Sequence, residues 1–162
     1  MDLFDSHCHL DDPSYESDLD EVLNRARKAG VSRMMTIGVT RATSRTAVEL
    51  AEAHPGIYAS VGVHPHDAHE CSDAILDQLV ALARRPAVRA WGETGLDFNR
   101  MHSPREEQEK WFVSQLETAR ELDLPMIFHE RDSQGRFLEL LQTCAPPTGG
   151  AVVHCFSGSR PE

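Results

Sequence analysis

The chain has 162 residues, 40% of them hydrophobic, and a formal net charge of -10 at pH 7. This is enough apolar material for one globular domain with a real core, and no run approaches the roughly 18 uninterrupted apolar residues of a membrane span. The acidic balance excludes a protein that coats nucleic acid through a broad basic surface, but not an enzyme that grips a few phosphates locally.

In chain order, the first strand is predicted over residues 3–7, in an N-terminus (MDLFDSHCHL) without the basic and long apolar regions of a secretory signal. Leu19, Val22, Leu23 and Ala26 then follow helical spacing, with Gly30 placed to end that helix. A strand over residues 33–38 leads to a helix marked by Ala47, Leu50 and Ala51 and stopped near Pro55-Gly56. A third strand, 58–63, precedes a helix carrying Ile75, Leu76, Leu79 and Leu82 that ends before Pro86. The fourth strand is predicted over 88–92. The helix after it has the clearest start in the chain: Ser103 as cap, Pro104 at the first helical position and Glu106 completing a capping box. Its apolar face is Trp111, Phe112, Leu116, Ala119 and Leu122. The fifth strand, 126–129, leads to a helix with Phe137, Leu138 and Leu141 that ends before Pro146-Pro147, and the sixth strand is 151–154. Near-continuous apolar runs suit strands buried on both faces of a parallel sheet. Alternating β and α units fit two architectures, an open doubly wound sheet or a (β/α)₈ barrel. The sequence has neither GxGxxG nor a Walker A motif, so nothing favours a nucleotide-binding open sheet.

Nine histidines are the compositional outlier. His7 and His9 lie two apart at a strand end, where they face one side and can hold one metal ion. Cys8 between them points away, and Cys155 beside His154 is likewise expected to face the core. His64, Glu93, His129 and His154 close four more of the predicted strands. In a parallel barrel those ends open onto one face, where catalytic groups gather. A shared metal site is the reading adopted, against separate roles as hydrogen-bonded structural histidines. Mixed nitrogen and carboxylate donors suit Zn or Mn and, with more oxygen, Mg. Arg131 follows His129 by two and is a candidate for phosphate contact, the competing reading being an ion pair with Glu130 or Asp132. Asp97 and Phe98 are placed in a Gly-containing loop at the mouth of the site, with Phe98 able to stack a base. The four cysteines form no CxxC pair and read as reduced thiols, as expected of a cytoplasmic protein.

Five segments, Asp5-Ser6-His7-Cys8-His9-Leu10, Val61-Gly62-Val63-His64-Pro65-His66, Gly92-Glu93-Thr94-Gly95-Leu96-Asp97-Phe98, His129-Glu130-Arg131-Asp132 and His154-Cys155-Phe156-Ser157-Gly158, resemble in order and spacing the signature motifs of TatD-type deoxyribonucleases, within the amidohydrolase-like metal-dependent hydrolases. The resemblance runs the length of the chain. It implies a TIM-type (β/α)₈ barrel, of which this chain would supply roughly the first six units. It implies divalent-metal-dependent hydrolysis of DNA, single-stranded or at 3′ ends, by a two-metal mechanism. His7 and His9 would hold one ion, Glu93 would bridge as the central catalytic group, and His129 and His154 would hold the second, the two ions being Mg, Mn or Zn. His64 and Arg131 would contact substrate phosphate. The family's last metal-site residue, an aspartate in a Thr-Asp motif, has no counterpart within these 162 residues, so the chain is expected to be a fragment, inactive and poorly stable by itself. The alternatives are a metal-dependent hydrolase of a small-molecule ester or amide or of a nucleic-acid adduct, and a non-catalytic fragment.

Overall fold

The computed structural model describes residues 2–144 and 149–160. Six strands are present: β1 (Leu3–Cys8), β2 (Val31–Thr36), β3 (Ile57–Val61), β4 (Val88–Asp97), β5 (Met126–Arg131) and β6 (Ala151–His154). Five helices alternate with them: α1 (Leu19–Lys28), α2 (Arg41–Ala53), α3 (Asp73–Ala83), α4 (Arg105–Glu121) and α5 (Arg136–Thr143). Every element expected from sequence is there. The predicted stop at Pro146-Pro147 lies outside the described residues.

Local chemistry explains most boundaries. Thr40 and Thr43 cap α2 reciprocally, each side chain accepting the other residue's backbone N–H. The Ser72 hydroxyl accepts from the Ile75 N–H at the start of α3. Gly30, with φ at 96°, turns the chain out of α1 as expected. The start of α4 differs from the expectation: Pro104 itself is the cap residue and makes no side-chain cap bond. The Ser103 hydroxyl is committed elsewhere, donating to the His66 carbonyl at 2.7 Å and meeting His69 Nδ1 at 2.7 Å.

All strand pairs are parallel and the spatial order is the chain order, β1-β2-β3-β4-β5-β6. Laid flat, β1 and β6 would stand roughly 24 Å apart at about 4.8 Å per strand. Instead the rings of His7 at the end of β1 and His154 at the end of β6 stack with centroids 4.0 Å apart. The sheet is therefore curled into a barrel wall, which brings the C-terminal ends of β1 and β6 together.

Adjacent residues in the strands serve opposite faces, as the two-residue period requires. Met34, Trp91 and Phe128 face the helices, packing with Leu23, Val48, Leu79, Phe112, Leu116 and Phe137. Met35, Ala90 and Ile127, next in line, join Ile37 on the inner face. Burial on both faces is why these runs read as continuously apolar. The outer strands depart from that expectation: Leu3, Phe4, Val152 and Val153 on β1 and β6 are all at least 40% exposed.

Two glutamines seven residues apart on α4 clamp the wall to its helix. Gln115 accepts from the Val63 N–H (2.8 Å) and Trp91 Nε1–H (3.2 Å) and donates to the Val63 carbonyl and Thr94 hydroxyl. Gln108 accepts from the Asp97 N–H (2.8 Å) and donates to the carbonyls of Asp97 and Ser103. Both are almost completely buried, so every polar atom has to be matched.

Candidate metal centre

The site sits at the C-terminal ends of the strands, where the curl brings β1 and β6 together. Strand β4 runs five residues past the predicted Gly92, to Asp97. Gly92 and Gly95 have φ of 131° and 149°, and a Cβ on either would collide with a carbonyl oxygen of β5, that of Ile127 or His129. Only glycine lets β4 lie this close to β5. Glu93 and Asp97 then point inward together, while Thr94 points back to Gln115.

Glu93 is the hub. Its Oε1 lies 3.0 Å from His129 Nδ1 and 3.9 Å from His64 Nε2, and its Oε2 lies 3.4 Å from His7 Nε2. His7, Glu93 and His154 offer donor atoms all within 4.8 Å of one another. A cleft of about 280 Å³ is lined by His9, His64, Glu93, His129 and His154, with His66 and Asp67 at its side. His9 is exposed, with its ring 5.4 Å from that of His7. Thus His7, Glu93, His129 and His154 converge closely, with His64 beside them and His9 at the rim.

The donor set suits a divalent cation by a direct test. His7 Nε2 is buried and has no hydrogen-bond partner among the described residues. An orphaned nitrogen beside a carboxylate and a stacked imidazole is costly unless a cation or a water takes its lone pair.

Electrostatics agree. Burial alone would raise the Glu93 carboxyl, but the hydrogen bond from His129 and the neighbouring imidazoles of His7 and His64 hold it well below the usual carboxylate range. Burial pushes His64 down to about 3, so that ring is neutral at physiological pH. Its Nδ1 accepts the His66 N–H at 3.1 Å, which assigns the proton to Nε2, facing the cleft. Burial works against a charge on His129, but Glu93 and Asp97 outweigh it and raise that pKa. His154 is lowered by burial and by the neighbouring His7.

Arg131 ends β5 and is half-buried. Its competing ion-pair partners are engaged elsewhere. Glu130 accepts from the Ser133 N–H and hydroxyl and from the Ser157 N–H, and Asp132 accepts from Asn99 at 2.7 Å.

Three residues were misjudged or missed from sequence. Asp97 ends a strand and is fully buried. Its Oδ2 accepts from His66 Nε2 (2.8 Å) and His129 Nε2 (3.1 Å), and its Oδ1 from the backbone N–H groups of Asn99 and Arg100. Burial raises its carboxyl, but these bonds bring it down to about 2. The four-residue spacing from Glu93, an even number along a strand, is the signal that places both on one face. His66 enters through the same contact. Cys155 was expected to face the core and is exposed; the strand ends at His154, and a left-handed Cys155 (φ 56°) turns its side chain to the same side. Phe98 presents one face to Arg105, whose guanidinium carbon lies 4.0 Å from the ring centroid.

Comparison with known proteins follows the same lines. The chain is 43% identical over 158 residues to a protein of Salmonella typhimurium named 3′-5′ ssDNA/RNA exonuclease TatD, covering 98% of this chain and 61% of that protein. It is 44% identical over 160 residues to a Klebsiella pneumoniae protein of the same name, covering 99% and 61%. The chain thus spans about three fifths of the length of these relatives. Among solved structures, a TatD homologue from Escherichia coli k12 superposes with a TM-score of 0.87 at 38% identity, over 97% of this chain and 61% of that one. A TatD family hydrolase from Entamoeba histolytica gives 0.85 at 26%, over 98% and 60%. The curled sheet of alternating strands and helices agrees with these likenesses, and the family model for TatD related DNase matches residues 4–162: the chain belongs to that family.

Proposed function

We propose that the natural protein hydrolyses phosphodiester bonds of single-stranded DNA from 3′ ends, using two divalent ions. The observation that carries this reading is the convergence of His7, Glu93, His129 and His154 from four strands around an orphaned, buried imidazole nitrogen. The relatives' names supply the substrate class and extend it to RNA.

In this reading His7 and His9 would hold one ion and His129 and His154 the other, with Glu93 a ligand shared between them. When bound, the ions supply Lewis acidity, lowering the pKa of water and offsetting charge on the phosphoryl group. The chain's own groups do the rest. Glu93, ionised throughout the physiological range, fixes the separation of its histidine neighbours. Asp97 orients His129 through Nε2, leaving Nδ1 toward Glu93. His64, neutral and protonated at Nε2, donates a hydrogen bond to a phosphate oxygen without adding positive charge that would repel the ions. Arg131 offers a bidentate partner to the same or the next phosphate. The net charge of -10 over these 162 residues favours local phosphate gripping, rather than a basic groove, as the source of affinity. Cytoplasmic action is the reading adopted from the cysteine usage of the sequence; among the described residues no helix is long and apolar enough to cross a membrane.

The test is hydrolysis of end-labelled single-stranded DNA by the full-length natural protein in Mg²⁺ or Mn²⁺. The expected outcome is stepwise loss from the 3′ end, abolished by chelation and by Glu93→Ala. Unchanged turnover in Glu93→Ala would defeat the mechanism, and activity confined to a small ester or amide would replace the substrate.

A further inference from the structure

Two donor triads overlap at the end of β6. His7, Glu93 and His154 form one, entirely nitrogen and oxygen. The other is His129, His154 and Cys155, whose ligand atoms also all lie within 4.8 Å of one another. His154 belongs to both. The second triad exists because the strand stops at His154 and the left-handed residue after it brings the thiol round to the imidazole side.

The chemistry of the two sets differs. Carboxylate oxygen suits Mg²⁺ and Mn²⁺, whereas two imidazoles and a thiolate are donors that thiophilic ions such as Zn²⁺, Cd²⁺ and Co²⁺ favour, with tetrahedral geometry open to a fourth ligand. We propose that Cys155 is a metal ligand for thiophilic divalent cations, joining His129 and His154, the two imidazoles assigned above to the second ion. Binding releases the thiol proton to solvent. The consequence is a site that distinguishes metals: oxygen-preferring ions leave Cys155 free, while thiophilic ions engage it. The proposal rests on the reading of His129 and His154 as metal ligands.

Cys155 is also the thiol open to a chemical probe. Cys71 is buried and Cys8 and Cys144 are half-buried, whereas Cys155 is exposed.

The experiment is a Co²⁺ titration of the full-length natural protein and of Cys155→Ser, followed by absorption. A thiolate-to-cobalt charge-transfer band in the near ultraviolet, lost in Cys155→Ser while the visible d–d bands persist, is the expected result. Parallel alkylation with iodoacetamide should modify Cys155, with Zn²⁺ or Cd²⁺ protecting it and Mg²⁺ not. Visible cobalt bands with no charge-transfer band in the parent protein would overturn the role of Cys155 and leave the histidine site standing. No cobalt spectrum at all, matched by an unchanged His154→Ala variant, would overturn both. A charge-transfer band that survives Cys155→Ser would assign the sulfur to another cysteine and end the proposal.

Discussion

The middle of the sheet and its two outer strands are built differently. Strands β3, β4 and β5 are buried on both faces and carry Glu93, Asp97 and His129, and Gln108 and Gln115 clamp β4 and Val63, just past β3, to α4. Strands β1 and β6 have one hydrogen-bonded neighbour each among the described strands and expose Phe4 and Val152, yet they carry His7, His154 and, just beyond, Cys155. The difference teaches that half of the site is preorganised by packing and the other half is held chiefly by the curl. The carboxylates, whose positions must be exact for a divalent cation, lie in the rigid half.

Several measurements break or sharpen this contrast. The largest effect is expected from the middle. Trp91→Ala removes a fully buried indole and should cost about 3–5 kcal/mol in chemical denaturation; a cost under 1 kcal/mol would mean that the wall is not rigid there. Gln115→Leu strands the N–H groups of Val63 and Trp91 and should cost about 1–3 kcal/mol, read in the same way. Asp97→Asn keeps the shape but weakens the hold on His129, so calorimetry should show divalent-metal affinity lower by about 10–100-fold; unchanged affinity would reduce Asp97 to a packing role.

Acid should act on the same half. The unfolded chain protonates His64 near 6.5, whereas the folded chain resists until about 3. Stability of the chelator-treated protein therefore falls as pH drops through that window, and His64→Gln should flatten the fall. His129, with its pKa raised, works the other way: its contribution is present below 6.5 and is lost as pH rises through the folded value. Asp97, lowered to about 2, contributes above the ordinary carboxylate range and loses that contribution only as pH falls to about 2. The smallest effect belongs to the outer strands. Val152→Ala on β6 should change stability by within about 0.5 kcal/mol, and a larger loss would show that this face is covered.

Much of this was legible in the sequence, for physical reasons. Apolar runs, Gly30 and the spacing of Ile75, Leu76 and Leu79 report local preferences that packing did not override. The strand-end histidines and Glu93 were visible because a parallel wall sends all its C-terminal ends to one side. The end of β4 was not: the Gly95-containing segment after Glu93 read as a loop, but here Gly92 and Gly95 permit close approach to β5 and the strand runs on to Asp97. Ser103 looked like a cap because its neighbours suit one, whereas a tertiary partner, His66, claimed its hydroxyl. Cys155 defeated simple alternation because alternation stops where the strand stops. The burial of Asp97 depends on Gln108, His66 and His129 together, and no local window contains all three.

The stacking of His7 on His154 joins the first and last strands of the described chain. β1 precedes β6 by five β/α units in the chain, so Glu93 and His129 leave the ribosome before His154, the member common to both triads. Those two triads close only when β6 pairs with β5 and sets His154 beside His129.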